Sequence, residues 1–226
     1  MSRMASVGAD RRSTPASPFA DVFRGAPVDL PPAMVDQYLT PADAPYEIVL
    51  GGRMDRIWHR PRWMWPILWL LSRGDILFPE TGQGIPTAVV IRSGRDPGGR
   101  PIQAWERTFR FPGNRTRRFR STMTRDPATG LVAEREGPWD ALEELTDVRL
   151  VGATTVQFTS RRSFLVVRGR RVPIPRRLWV TALAIQRFDH DDGRSSTVEL
   201  TVTHGLFGPV FGYEGSFRTA RRPRQS

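Results

Sequence analysis

One short segment of the sequence places a cation among aromatic side chains. The segment is QAWERTFRF, residues 103–111. Alternate side chains of a β-strand share a face, so Arg107 would project together with Trp105 and Phe109. An unpaired guanidinium on an inward face is costly, so Arg107 needs a carboxylate, a carbonyl or an anionic ligand. Arg107 is therefore a candidate anchor for the acidic group of a bound molecule, or else one half of a buried ion pair.

Two carboxylates further along the chain are candidate partners of Arg107. Glu134 and Glu136 lie two positions apart in LVAEREGP, residues 131–138, and would share one face of a strand. Successive hairpins could bring this strand close to residues 103–111. The same two residues could instead work as an acid and a base, although any two acids at this spacing have the same geometry. The sequence leaves the ion pair, the ligand anchor and the acid–base pair open.

Composition excludes several other classes of chemistry. The chain of 226 residues has no Cys, and all 34 of its Lys and Arg residues are Arg. Disulfides, thiol nucleophiles, lysine Schiff bases and a P-loop lysine are thereby excluded. The histidines, His59, His190 and His204, do not predict a zinc site, because His190 lies in the turn sequence DHDDG. We therefore expect neither a metal nor a cofactor.

The remaining pattern is that of a mainly β protein. Counts of 20 Gly and 20 Pro indicate many turns and few long helices. From residue 85 onward, alternating segments are separated by turn sequences such as GRDPGG, PGN and DPATG. We predict an antiparallel meander of about nine or ten strands that forms a curved sheet or a lipocalin-like barrel. A short helix is predicted at residues 31–40, where Pro residues suit a first helical turn.

The strongest apolar run of the chain, residues 63–71, predicts a second helix at residues 62–72. This helix is too short to span a bilayer. It could cap the core at one end of the sheet, or it could face a membrane surface through Trp63, Trp65 and Trp69. Continuous apolarity without a charged face favours the core cap.

The two ends of the chain lack periodic apolar residues. We predict a disordered N-terminal tail at residues 1–28 and a disordered C-terminal tail at residues 219–226. Residues 29–218 would then form a single β-rich domain. The sequence does not open with an apolar stretch typical of a secretory signal, so the expected location is cytoplasmic. A peripheral membrane location is the alternative if the helix at residues 62–72 contacts lipid.

A basic segment, FPGNRTRRFRSTMTR at residues 111–125, interleaves arginines with Phe111 and Phe119. Basic residues between aromatic ones can bind nucleic acid. We expect the two Phe side chains in the core and the arginines on the solvated face, which disfavours nucleic acid as a partner. The formal net charge of +11 adds little, because arginine without any lysine indicates a base-composition bias of the gene.

Seven motifs follow one another along the chain. They are LP at residues 30–31, GIPTAVVIRS, AWERTFRF, RRFRSTM, LVAEREGP, VPIPRRLW and GYEGSF, and all but the first lie within residues 76–217. As a set they resemble a bacterial domain of unknown function that is often found C-terminal to saccharopine-dehydrogenase-like reductase domains. This chain has no G-x-G-x-x-G dinucleotide motif after a strand, so the reductase module is absent from it, and the resemblance leaves open whether a separate reductase is a partner. It implies no catalytic residue.

These features favour a binding module as the function. Its apolar cavity would accept a lipid-like or other hydrophobic, anionic small molecule, with Arg107 as the polar anchor. The predicted lining residues are Trp105, Phe109, Phe119, Phe158 and Tyr213. One alternative is an enzyme, or an accessory domain of a reductase, in which Glu134 or Glu136 is the acid or base. Another is a peripheral membrane or nucleic-acid binder.

Overall fold

A computed structural model describes residues 17–27, 29–61, 64–137, 140–175 and 179–224. These residues form two α-helices and eleven β-strands. The helices are α1 (Pro32–Tyr38) and α2 (Trp65–Ser72). The strands are β1 (Tyr46–His59), β2 (Gly82–Arg95), β3 (Pro101–Phe111), β4 (Arg115–Arg125), β5 (Val132–Glu136), β6 (Leu142–Val151), β7 (Thr155–Val167), β8 (Arg170–Pro173), β9 (Val180–Phe188), β10 (Ser195–His204) and β11 (Gly208–Pro223).

Ten of these strands form a closed antiparallel barrel. The strand order is β6-β5-β4-β3-β2-β1-β11-β10-β9-β7-β8, and an additional pairing of β6 with β7 closes the sheet. Strand β8 is an extra strand that pairs with the end of β7. Closure removes the free edges that a long meander would otherwise expose. The prediction of a mainly β, antiparallel barrel with short helices is confirmed.

Turn chemistry explains the hairpins that connect the strands. Gly99, between β2 and β3, and Asn114, between β3 and β4, have φ angles of 77° and 58°. This left-handed region is open to Gly and tolerated by Asn, so the turn sequences recognised in the chain suit these conformations. Tight turns make neighbouring strands antiparallel, which sets the alternation of inward and outward side chains around the barrel.

Helix α1 plugs one end of the barrel, which we call the closed end. The Tyr38 ring lies 5.9 Å from the Trp105 ring and 6.2 Å from the Phe188 ring, measured between centroids. Its hydroxyl donates to the side-chain oxygen of Gln186 at 2.5 Å. Asp36, also on α1, is buried and accepts hydrogen bonds from arginines that precede β10 and end β11. Aromatic packing and paired charge together fix α1 across the barrel.

Helix α2 lies at the opposite end, which we call the open end. It follows β1 and inserts Leu68, of which 1% is exposed, into the barrel interior. The predicted helix at residues 62–72 is observed as Trp65–Ser72, and the predicted helix at residues 31–40 as Pro32–Tyr38. Among the residues that the structure describes, no helix is both long enough and apolar enough to cross a membrane.

The predicted tails are too long at both ends of the chain. Phe19 is fully buried and packs edge-on against the Tyr38 ring, so part of residues 1–28 belongs to the plug at the closed end. At the other terminus, β11 continues to Pro223. Arg221 and Arg222 there pair with the buried carboxylates of Asp36 and Glu47, which holds the strand in place. Residues 1–16 and 225–226 lie outside the described part of the chain.

Candidate functional site

The barrel encloses a cavity of about 740 Å³. Its wall is mostly apolar, since the inward positions of β9, β10 and β11 supply side chains such as Ala184, Val198, Leu200 and Val202. Tyr38 forms the floor at the closed end, and Leu68 of α2 reaches in from the open end. The polar side chains of the wall are concentrated on β3 to β7. The cavity thus has an apolar side and a polar side.

Five of the six predicted lining residues line this cavity: Trp105, Arg107, Phe119, Phe158 and Tyr213. Phe109 was also predicted to line it and does not. Its ring lies 4.8 Å from the ring of Phe78, between centroids, and is fully buried in the core beside the cavity. Alternation correctly placed Phe109 on the inward face of β3. Phe78, in the segment between α2 and β2, packs against its ring and separates it from the cavity.

Arg107 lies in a setting that is both aromatic and acidic. Its guanidinium carbon is 4.5 Å from the centroid of the Phe119 ring and 5.2 Å from that of Trp105, close enough for cation–π attraction. Arg107 Nη1 donates to the hydroxyl of Ser121 at 3.1 Å. Its Nη2 is 3.9 Å from Oε1 of Glu134, and only 12% and 13% of these two side chains are exposed. The ion pair is long, which leaves guanidinium hydrogens available to another partner.

Three glutamates form the acidic part of the wall, and we call Glu134, Glu136 and Glu144 the acidic cluster. Each offers a carboxylate oxygen within 4.8 Å of the others. Glu134 and Glu136 were candidates from the sequence, whereas Glu144 on β6 was missed. It lies directly across from Glu134 in the β5–β6 pairing. The signal was present in the acidic pair of LEEL, residues 142–145, but Glu143 is buried on the outer face while Glu144 lines the cavity, so the pattern does not show which acid points inward.

Burial changes the protonation of the acidic cluster. The pKa of Glu144 is raised to about 8, first by burial and then by the charge of Glu134, although hydrogen bonds from Ser160 and Ser163 lower it. The pKa of Glu136 is raised well above its usual range by burial and by the neighbouring Glu134 and Glu144, against the opposing charge of Arg107. A carboxyl group with the pKa of Glu144 is largely protonated at neutral pH and can donate a hydrogen bond.

The site therefore presents several hydrogen-bond donors beside an apolar space. Arg107, Ser121 and the protonated carboxyls of Glu136 and Glu144 can all donate toward a bound group. The acidic cluster has the oxygen ligands and spacing that could hold a divalent cation, but Arg107 and the bound protons would compete with the cation. Thr146, also in the cavity wall and 4% exposed, has a hydroxyl without a hydrogen-bond partner among the described residues.

The structure describes two of the three tryptophans that were candidates to face a membrane. Trp65 and Trp69 on α2 are exposed, while Trp63 lies outside the described residues. Leu68 and Leu71, on the same helix, line the cavity. Helix α2 therefore caps the interior with one side and presents apolar side chains to the outside with the other, and its contact with a membrane stays a prediction.

The basic segment at residues 111–125 comprises the last residue of β3, the following turn and all of β4. Phe111 and Phe119 are buried inside the barrel, where they cannot stack on bases. Several arginines of the outer face pair with acids, as Arg120 does with Glu106. The three histidines are not part of the acidic cluster, and His190 lies in the turn that precedes β10, at the closed end.

Two comparisons with known proteins concern most of the barrel. The family model of DUF4166, a domain of unknown function, matches residues 30–217, which include Arg107 and the acidic cluster. The chain is also 30% identical over 147 residues to YndH, an uncharacterized protein of Bacillus subtilis (strain 168), and the aligned part covers 64% of this chain and 70% of that protein. Because the family model covers well over half of the sequence, the chain belongs to the DUF4166 family of domains of unknown function.

Proposed function

We propose that the barrel binds one hydrophobic small molecule in its cavity. The observation that carries the proposal is the enclosed volume of about 740 Å³ with a largely apolar wall. Sites for small molecules span roughly 300–1,000 Å³ and combine apolar walls with a few converging polar groups. A dry, apolar space of this size costs stability unless a ligand fills it, because its lining loses dispersion contacts.

The polar side of the cavity indicates what kind of head group the molecule carries. Arg107 supplies a positive charge, and Glu136 and Glu144, whose pKa values are both raised, supply hydrogen-bond donors in their protonated forms. Such a set of donors suits an acceptor such as a carboxylate or a carbonyl. The ligand would thus be lipid-like, with an acidic or acceptor head at Arg107 and its apolar part against β9, β10 and β11.

A cavity-blocking variant tests binding without assuming the identity of the ligand. The probe is N-phenyl-1-naphthylamine, a neutral dye whose fluorescence rises in apolar surroundings. Ala184→Trp places an indole inside the cavity, and we expect roughly tenfold weaker binding of the dye because the two overlap. Leu183→Trp, on the outer face of the same strand, is the matched control and should bind like wild type. Equal binding by both variants, or no fluorescence rise with wild type, would contradict the proposal.

A second candidate function is acid–base catalysis on the bound molecule. It is favoured by the raised pKa values of Glu136 and Glu144 beside the cavity, since carboxyls with raised pKa values are candidates for general acids and bases. The discriminating measurement is deuterium exchange at the α-hydrogens of 2-dodecanone in heavy water. A catalyst accelerates this exchange and Glu134→Gln abolishes the effect, whereas a binding module leaves the rate unchanged. A separate reductase as a partner stays a prediction.

A further inference from the structure

Apolar side chains surround the opening of the cavity. Ile67, Leu165, Leu206 and Phe207 line the cavity and are also exposed to solvent, so they mark its rim. They come from α2, from the β7–β8 hairpin and from the turn between β10 and β11. Leu206, with 75% of its surface exposed, is the most exposed large apolar side chain of the described residues.

The segments that supply the rim hold most of the exposed apolar surface. The described residues include eleven exposed large hydrophobic side chains, and nine of them belong to α2, the β7–β8 hairpin or the β10–β11 turn: Trp65, Ile67, Trp69, Leu70, Leu165, Val167, Val172, Leu206 and Phe207. The other two are Val151, at the closed end, and Leu183, on the outer wall. Scattered apolar side chains are normal on a surface, but this concentration is typical of a contact surface.

The charge of these segments is predominantly positive, although Arg161 and Arg171 pair with Asp147, Asp126 and Glu143, and the exposed Asp140 lies in the neighbouring β5–β6 turn. Residues 60–74, 161–175 and 204–210 together contain eight Arg and no Asp or Glu. Arg168 and Arg170, at the tip of the β7–β8 hairpin, are exposed and form no ion pair with any described residue. The Arg73 guanidinium lies 3.9 Å from the centroid of the Trp69 ring, so that it covers one of the exposed aromatic side chains. Tryptophan beside arginine is the composition that proteins use at the interface of a bilayer.

We propose that the open end docks on an anionic membrane surface, with the apolar rim in the interfacial layer and the cavity opening toward the lipid. Charge complementarity selects this occupant. A second copy of the chain would bring together two surfaces that each carry an excess of arginine, and these surfaces repel each other. Anionic lipid instead attracts the arginines and accepts the apolar side chains. A ligand of the cavity would then pass between the bilayer and the barrel without crossing water.

Co-sedimentation of the full chain with lipid vesicles tests the docking surface. We expect about tenfold or more tighter binding to vesicles of equal parts phosphatidylglycerol and phosphatidylcholine than to vesicles of phosphatidylcholine alone, because several arginines contribute. Raised salt should weaken the binding. Leu206→Asp and Leu70→Asp should each reduce binding about tenfold, since each replaces an apolar contact by a charge that anionic lipid repels. Val151→Asp is the matched control at the closed end, and its binding should stay within about twofold of wild type.

Three results would contradict the proposal that the open end docks on an anionic membrane. They are the absence of binding to the anionic vesicles, equal loss in Val151→Asp and Leu206→Asp, and a wild-type dimer that Leu206→Asp dissociates in the absence of lipid. Circular dichroism of each variant shows whether its fold is intact, and Leu70→Asp provides a second variant at a different element. Dye binding in the cavity is measured without vesicles. The proposal of membrane docking and the proposal of ligand binding are therefore tested independently.

Discussion

At the scale of single residues, Arg107 determines what the polar side of the cavity can bind. It lies between two aromatic rings, 3.1 Å from the hydroxyl of Ser121 and 3.9 Å from Glu134. A charged group so enclosed requires compensation, and the long contact with Glu134 supplies only part of it. The Arg107 guanidinium can therefore donate hydrogen bonds to the acidic group of a ligand.

Replacing Arg107 by Leu should weaken the binding of an acidic amphiphile selectively. We expect the affinity for dodecanoate to fall about tenfold, since a charge-assisted hydrogen bond is lost, and the affinity for dodecanol to stay nearly unchanged. Both affinities are measured by displacement of N-phenyl-1-naphthylamine. Arg110→Leu, on the outer face of the same strand, is the control. A folded Arg107→Leu variant that binds dodecanoate normally would mean that Arg107 serves only as the ion-pair partner of Glu134.

Glu144 should make the stability of the barrel depend on pH. Its pKa in the folded chain is about 8, compared with an ordinary value of 4.5, so between these pH values the folded chain keeps a proton that the unfolded chain has released. The free energy of unfolding must then fall as the pH rises through this window, by roughly 1.4 kcal/mol per pH unit at most. Urea denaturation between about pH 5 and 8 measures the slope.

Glu144→Gln removes this titration, so the loss of stability with rising pH should become shallower. Glu136 keeps part of the slope, because its pKa is raised in the same direction. Glu214→Gln, at an exposed position on β11, should leave the slope as in wild type. If the two variants show the same slope, Glu144 does not retain its proton in the folded chain.

At the scale of elements, alternation along strands carried most of the correct predictions. It placed Arg107, Glu134 and Glu136 on inward faces, because β3 and β5 are regular where these residues lie. It gave no prediction for Glu144 on β6, where Leu142, Glu144 and Thr146 line the cavity while Glu143 and Leu145 are buried on the opposite face. When side chains on both faces of a strand are buried, alternation along the sequence does not show which face points into the barrel.

The N-terminal segment shows a different limit of prediction. Its Ser, Pro and Ala content indicated disorder, yet Phe19 and Phe23 pack against Tyr38. Two aromatic side chains four positions apart were the available signal. Their partner lies on another element, so the contact follows from the closed barrel and α1 and could not be derived from local composition.

Helix α2 is attached to the barrel chiefly through its inward side. Leu68 is buried, whereas Leu70, two positions later, is 64% exposed. Leu68→Ala should lower the free energy of unfolding by about 2 kcal/mol, and Leu70→Ala by less than about 0.5 kcal/mol. Hydrogen exchange read by mass spectrometry should show faster exchange at residues 65–72 in Leu68→Ala only. Equal protection of α2 in the two variants would mean that Leu68 does not anchor the helix.

At the scale of the whole molecule, the two ends of the barrel differ in chemistry. The closed end combines an aromatic plug with buried carboxylates that arginines neutralise, as at Asp36 and Glu47. The open end combines exposed apolar side chains with arginines. The sequence predicted a curved sheet or a barrel but not this polarity, because only the closed topology brings α2, the β7–β8 hairpin and the β10–β11 turn to one opening.

Native mass spectrometry of the purified full chain tests the central claim, a ligand in the cavity, most directly. We expect a wild-type mass that exceeds the mass of the chain by that of one small molecule, which denaturation releases. Leu183→Trp should retain the molecule and Ala184→Trp should lose most of it. A wild-type chain that carries no additional mass, and takes up none when dodecanoate is added, would contradict the claim.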